Sequence, residues 1–144
     1  MILLDRRSFV QSLAGIFALG ILDWRELRPR TAMKLSELRH PDPRPNITAE
    51  HVMTTTDLGK LAEKKGVMAA YDNARAYPEI FDGLGCGCGC TAEGMMHRSL
   101  LSCYESMQPT GCPSCREESN FVAKMAKDKK TLAEIRAAVD KEFG

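Results

Sequence analysis

All six cysteines of this chain lie within the 30 residues from Cys86 to Cys115, although the chain has 144 residues. Three of the thiols alternate with glycine between positions 85 and 90, and two more form a Cys-x-x-Cys pair at 112 and 115. A chain with this pattern must fold so that one short stretch carries all of its thiol chemistry. The spacing predicts a single thiolate site, built from Cys86, Cys88, Cys90, Cys103, Cys112 and Cys115.

The alternating glycines favour a ligand loop over a structural disulfide. Glycine accepts positive φ angles and a close backbone approach, so this segment can curl until its three sulfurs converge. A disulfide within a Cys-x-Cys unit would close a small strained ring that is easily reduced. The Cys112-x-x-Cys115 pair is predicted to open a helix, whose dipole lowers thiol pKa values, and alone it suits zinc, redox chemistry or a disulfide. Together the two units favour a bound metal or a labile redox pair.

The sulfur ligands indicate which metal would bind. Thiolates and thioethers are the soft ligands that select copper(I), with zinc or another soft metal such as mercury(II) as alternatives. We expect His97 to be a surface or hydrogen-bonded residue rather than a ligand, and Met95, Met96 and Met107 to lie in the core. Two other interpretations stay open: a thiol redox protein outside the cytoplasm, or a disulfide scaffold that presents a surface to a partner. The pattern favours a binding protein over an enzyme, because no thioredoxin-like βαβ pattern is present.

The amino-acid composition indicates helices rather than sheets. Aromatic residues make up only 6% of the chain and hydrophobic residues 44%, whereas strands favour aromatic and β-branched residues. No segment alternates apolar and polar residues with the period of a strand. The predicted fold class is all-α, a small helical domain with the glycine–cysteine loop between helices. The net charge of +1 argues against a nucleic-acid partner.

Capping residues and apolar periodicity predict where the helices lie. After a short turn capped by Thr48, helices are predicted at 57–65 after Thr56, at 67–76, at 78–84, from the cap Thr91 to Ser106, at 113–127, and after the cap Thr131. A break is predicted at Pro109 and Gly111. The predicted core comprises Leu58, Leu61, Val67, Met68, Tyr71, Ile80, Phe81, Phe121, Val122, Met125, Leu132, Ile135, Val139 and Phe143.

Residues 1–23 are predicted to form an export signal of the twin-arginine type. Arg6 and Arg7 precede an apolar run from Phe9 to Leu22, which suits a signal peptide but is shorter than the roughly 20 helical residues that span a bilayer. No clean small-x-small cleavage site follows the run, so the segment could remain as a membrane tether. Residues 24–46 are rich in proline and are predicted to be a linker, followed by a Cys-rich helical domain at 47–144. These features predict an extracytoplasmic protein of the periplasm or cell envelope.

Several segments in the second half of the chain are similar to one known family. They are Tyr77-Pro78-Glu79-Ile80-Phe81, Cys86-Gly87-Cys88-Gly89-Cys90, the run from His97 to Cys103, Cys112-Pro113-Ser114-Cys115 and Ile135-Arg136. In this combination the chain resembles the CYCXC (PCYCGC-motif) family of exported bacterial proteins. The resemblance implies that the cysteines are the site residues, and the selenocysteine of some members implies a redox role as an alternative. Gly87 stands where the family usually has tyrosine, which implies that an aromatic lid is missing here.

Overall fold

The structure is a computed structural model that describes residues 40–92 and 95–144. The predicted signal segment at 1–23 and the predicted linker up to residue 39 lie outside the described residues. In the part of the chain that the structure describes, none of the helices is both long and apolar enough to cross a membrane.

The described residues form seven α-helices and one 3-10 helix, with no strand among them. In chain order they are α1 (Thr55–Leu58), the 3-10 helix (Gly59–Glu63), α2 (Val67–Ala76), α3 (Pro78–Asp82), α4 (Leu100–Tyr104), α5 (Gln108–Gly111), α6 (Pro113–Lys127) and α7 (Leu132–Phe143). The predicted all-α class is confirmed for these residues, and the glycine–cysteine loop lies between α3 and α4.

Four helices, α2, α3, α6 and α7, begin where the sequence predicts. Helix α3 starts at Pro78 but ends at Asp82, two residues before the predicted end. Helix α2 follows Gly66, whose φ of 77° lies in the left-handed region that glycine favours. Helix α6 has Pro113 in its first turn, where the missing N–H would have had no intrahelical partner. Helix α7 starts with a capping box, in which Thr131 and Glu134 satisfy each other's backbone N–H groups.

The prediction of one continuous helix at 57–65 is wrong, both in where the helix starts and because two short helices replace it. Thr54, not Thr56, is the N-cap, and its backbone N–H donates to the Asp57 carboxylate at 2.7 Å. Helix α1 ends after a single turn because Gly59 has a φ of 52°, which lies outside the right-handed helical region. The chain then continues as the 3-10 helix.

The long helix predicted after Thr91 is also wrong. Helix α4 covers only its last part and is capped by Ser99, whose hydroxyl accepts a hydrogen bond of 3.3 Å from the N–H of Ser102. Thr91 does not cap a helix, because its hydroxyl accepts a hydrogen bond of 2.8 Å from the N–H of Cys86. The threonine therefore stabilises the cysteine loop instead.

The predicted break at Pro109 and Gly111 is replaced by the short helix α5. Pro109 lies in the first turn of this helix, where the absent N–H costs no hydrogen bond. The core assignment of three methionines is wrong as well, because Met95, Met96 and Met107 are 62%, 84% and 54% exposed. Met95 and Met96 lie in the loop before α4, so no helix face turns them inward.

The core is centred on three aromatic rings from α2, α3 and α4. The ring of Tyr104 packs edge-on against Tyr71 at 5.1 Å and Phe81 at 5.8 Å between centroids. The hydroxyl of Tyr104 donates to the carbonyl oxygen of Cys115 at 2.6 Å. This bond connects the core to the first turn of α6, where one of the site cysteines lies.

The other residues predicted to lie in the core are all buried or partly buried. The fully buried members are Leu58, Val67, Tyr71, Phe81, Val122, Ile135 and Val139. The partly buried members, which pack against them, are Leu61, Met68, Ile80, Phe121, Met125, Leu132 and Phe143. The predicted apolar stripes of α2, α6 and α7 therefore face the interior.

A buried carboxylate fastens the end of the predicted linker to the helical domain. Asp82 is fully buried and forms ion pairs of 2.9 Å with Arg44 and with Arg98. Burial opposes ionisation of Asp82, but hydrogen bonds from Arg44 and Ser99 outweigh it and hold the pKa of this carboxyl below its ordinary value. Residues 40–46 therefore lie against the entrance of the cysteine loop.

Candidate metal centre

The cysteine loop turns back on itself directly after Cys86. The N–H of Gly89 donates to the carbonyl oxygen of Cys86 at 3.0 Å, and Gly89 allows this turn by adopting a φ of 80°. The two ends of the loop are joined by a hydrogen bond of 2.7 Å from the N–H of Leu100 to the carbonyl oxygen of Leu84. The loop is therefore closed at its base, which keeps its cysteines next to α4.

Glycine at position 87 is required by close packing against the end of α7. A Cβ atom at this position would lie 2.6 Å from the Cβ atom of Phe143 and 3.2 Å from its carbonyl oxygen. The N–H of Gly87 also donates to Oε2 of Glu118 at 2.9 Å. Any side chain at position 87, including tyrosine, would push the loop away from α6 and α7.

Four cysteine sulfurs converge on one point. The Sγ atoms of Cys86, Cys88, Cys90 and Cys115, which we call the four-sulfur cluster, all lie within 4.8 Å of one another. The distance from Cys86 to Cys88 is 3.3 Å, and Cys115 lies 3.6 Å from each of these two. Four sulfurs held at about 2.3 Å from a tetrahedral ion would lie about 3.8 Å apart. The four-sulfur cluster could therefore hold a metal ion with only small side-chain adjustments.

The two remaining cysteines, which we call the outer thiols, each contact one member of the four-sulfur cluster. The sulfur of Cys103 lies 3.1 Å from that of Cys90, and the sulfur of Cys112 lies 2.7 Å from that of Cys115. All six cysteines are free thiols. The structure therefore brings the six residues selected from the sequence into one connected group, as four central and two outer members.

Helices α4 and α6 position three of these thiols. Cys103 lies within α4, while Cys112 is the N-cap of α6 and its sulfur accepts a hydrogen bond of 3.3 Å from the N–H of Cys115. This places Cys112 and Cys115 at the positive end of a 15-residue helix. The helix dipole there stabilises negative charge on sulfur.

The site has a closed interior and one open edge. Cys86, Cys103 and Cys115 are fully buried, Cys90 and Cys112 are partly buried, and Cys88 is exposed. Hydrogen bonds from the thiols of Cys115 and Cys86 lower the pKa of Cys88 to about 6. The lowered pKa favours the thiolate of this exposed cysteine, which is the form that binds metals.

Glu118 is a functional candidate that sequence reasoning missed. Its side chain is fully buried beneath the cysteine loop, and burial raises the pKa of its carboxyl to about 8. Oε2 accepts the hydrogen bond from Gly87, while Oε1 is buried without a partner among the described residues. The available signal was its position in α6, one turn after Cys115, which places both residues on one face of the helix.

His97 does not belong to the four-sulfur cluster. Its backbone N–H donates to the carbonyl oxygen of Cys90 at 3.3 Å, so it supports the loop through its main chain. Its ring atom Nε2 is buried and has no hydrogen-bond partner in the described part of the chain.

Comparison with known proteins gives no match to a family model, a curated protein or a solved structure. The resemblance to the CYCXC family therefore stays a prediction.

Proposed function

We propose that this protein is an exported soft-metal-binding protein that holds copper(I) in a cysteine-thiolate site for storage, handling or resistance. The observation that carries the proposal is the convergence of four free sulfurs within 4.8 Å of one another. Converging free thiols are the arrangement that a thiolate metal site requires.

The donor set supports copper(I) over harder metals. All four converging ligand atoms are sulfur, and thiolates favour soft metals, copper(I) among them, over magnesium, calcium or manganese. Zinc also binds four thiolates in closed structural sites. A single zinc ion uses only four ligands, however, and would leave the outer thiols without a role.

The outer thiols support a site with more than one ion. The sulfur of Cys90 contacts that of Cys103, and the sulfur of Cys115 contacts that of Cys112. In each pair, the cysteine of the four-sulfur cluster could bridge two ions, and the outer thiol could bind the second ion. Six thiolates around one copper(I) ion would carry a large net negative charge in a mostly buried place, which is unfavourable. Each additional copper(I) ion reduces that charge by one. A polynuclear copper(I)–thiolate cluster therefore accounts for all six cysteines.

Export and family membership are parts of the proposal that rest on the sequence alone. The arginine pair at 6 and 7 and the apolar run after it support twin-arginine export. This pathway carries folded proteins, so a metal could be loaded before the protein leaves the cytoplasm. The motif spacing supports membership of the CYCXC family.

A thiol redox function is the second candidate, and one contact favours it. The sulfurs of Cys112 and Cys115 lie 2.7 Å apart at the start of α6, an arrangement that redox-active Cys-x-x-Cys pairs share. In that reaction the two thiols would reduce a substrate disulfide to two thiols and become a disulfide themselves. Disulfide reductase activity that persists with metal excluded would favour this candidate over metal binding.

The experiment that tests the proposal is elemental analysis of the full chain purified from its own compartment. We expect copper in the wild-type protein and its loss in the variant C86S/C115S, which removes the two buried members of the four-sulfur cluster. The variant H51A is a control, because His51 is exposed and, among the described residues, forms its one ion pair with Glu50. Finding zinc instead would contradict the assignment of copper(I), and finding no metal would contradict the proposal as a whole.

A further inference from the structure

His40 links the cysteine loop to helix α7. Its ring atom Nδ1 accepts a hydrogen bond of 3.0 Å from the N–H of Gly85, the residue directly before Cys86. Its other ring nitrogen, Nε2, lies 3.0 Å from Oδ1 of Asp140 in α7. The side chain of His40 is only 9% exposed and Gly85 is buried, so the contact between them is largely shielded from water, whereas the side chain of Asp140 is 40% exposed.

These two contacts fix the tautomer of the ring. A neutral imidazole has one N–H donor and one acceptor nitrogen. Because the backbone N–H of Gly85 can only donate, Nδ1 must be the acceptor. Nε2 therefore carries the hydrogen and donates it to Asp140, which also holds the ring in its orientation.

A second residue of α7, Arg136, binds the backbone close to both His40 and Gly85. The guanidinium of Arg136 donates to the carbonyl oxygen of Gly83 at 3.0 Å and to that of Pro41 at 2.7 Å. Two backbone positions shortly before Cys86, Gly83 and Gly85, are thus both bound by side chains. The loop enters the four-sulfur cluster along a path fixed by α7 and by residues from the predicted linker.

We propose that His40, oriented by Asp140, is a positioning residue that preorganises the cysteine loop for metal binding. It acts through the backbone of Gly85 and does not itself touch a sulfur atom of the cluster. The inference rests on the proposed metal-binding function, and it explains why residues before the predicted start of the domain at 47 are held against the loop. Replacing a residue that hydrogen-bonds directly to a metal ligand weakens metal binding by roughly 10- to 100-fold. His40 acts one residue before Cys86, so we expect an effect at the lower end of that range.

Two amide variants separate the two hydrogen bonds of His40. In asparagine, Oδ1 is as many bonds from Cα as Nδ1 is in histidine, so H40N keeps an acceptor for Gly85 and loses the donor to Asp140. In glutamine, Nε2 corresponds to Nε2 of histidine, so H40Q keeps the donor and loses the acceptor. Both variants remove the ring, so loss of packing is common to them. A larger effect in H40Q than in H40N therefore reports the acceptor for Gly85, and the opposite order reports the donor to Asp140.

The first measurement is amide hydrogen exchange of Gly85 in the metal-free full chain under reducing conditions. We expect exchange about tenfold faster in H40Q than in wild type, because one hydrogen bond of about 1.4 kcal/mol is lost. We expect H40N to remain within about threefold of wild type. Equal protection of Gly85 in wild type and H40Q would overturn the inference whether or not the protein binds metal.

The second measurement is copper(I) affinity by competition with a copper(I)-specific chelator. We expect H40Q to bind about tenfold more weakly than wild type and H40N to retain most of the affinity. Wild-type affinity in H40Q would overturn the positioning role, whereas a wild type that binds no copper(I) would contradict the proposed function instead. If H40Q does not fold, D140A replaces it, because it leaves Nδ1 in place but frees the ring. Unchanged Gly85 exchange in D140A would then overturn the inference.

Discussion

The backbone N–H of Gly87 donates a hydrogen bond of 2.9 Å to Oε2 of Glu118. This contact places a fully buried carboxyl group directly beneath the loop that carries three of the site cysteines. It also combines two demands on the sequence, because position 87 must lack a side chain and position 118 must provide an acceptor. Neither demand is visible from the cysteine spacing.

The buried carboxyl of Glu118 makes the stability of the metal-free protein depend on pH. Burial raises its pKa from 4.5 to about 8, so between these values the folded state keeps a proton that the unfolded state has lost. The stabilisation that this proton provides is fully present below about pH 4.5 and is lost as the pH rises towards 8. We expect the contribution of Glu118 to fall by up to about 1.4 kcal/mol per pH unit in this interval.

Urea unfolding of wild type and E118Q between pH 5 and 8 under reducing conditions measures this effect. Both proteins keep the exposed Cys88, whose lowered pKa acts in the opposite direction. The difference between them reports Glu118 together with its electrostatic coupling to Cys88. A difference in unfolding free energy that stays constant across the interval would contradict the assignment.

Replacing Gly87 with alanine is expected to destabilise the fold by about 1–3 kcal/mol. The added Cβ atom would lie 2.6 Å from the Cβ atom of Phe143, which cannot move without shifting the end of α7. G111A is the matched control, because a Cβ atom at Gly111 meets nothing within 4 Å. Thermal unfolding of both variants checks the prediction, and equal stability of G87A and G111A would show that the loop does not pack as described.

Export is expected to depend on the arginine pair. The variant R6K/R7K should remain in the cytoplasm, because lysine does not replace the paired arginines of a twin-arginine signal. The variant R28K/R30K, which makes the same change beyond the apolar run, should be exported normally. Cell fractionation with an antibody against the protein distinguishes these results. Normal export of R6K/R7K would remove the twin-arginine assignment.

Local signals in the sequence were sufficient to predict part of the fold. The start of α7 follows from the capping box of Thr131 and Glu134, and the start of α6 follows from Pro113. These signals involve residues that are close in sequence. The all-α class followed in the same way from composition and periodicity.

Long-range contacts explain what the sequence did not reveal. Threonine is a common helix cap, but the hydroxyl of Thr91 accepts a hydrogen bond from the backbone N–H of Cys86 instead. No local sequence rule distinguishes these two roles. The roles of His40 and Glu118 depend on partners 45 and 31 residues away. The six cysteines could be selected from their spacing, whereas their division into four central and two outer thiols required the three-dimensional structure.

The most direct test of the account is an anaerobic copper(I) titration of the wild type and of C112S/C115S. Cys115 contacts Cys86 and Cys88 as well as Cys112, so the thiols should act as one site. We predict that the wild type loads more than one ion cooperatively. We also predict that the double variant binds more weakly at its four remaining thiols. A variant that keeps wild-type affinity, with its capacity reduced only by the share of the two missing thiols, would show independent sites and contradict the account.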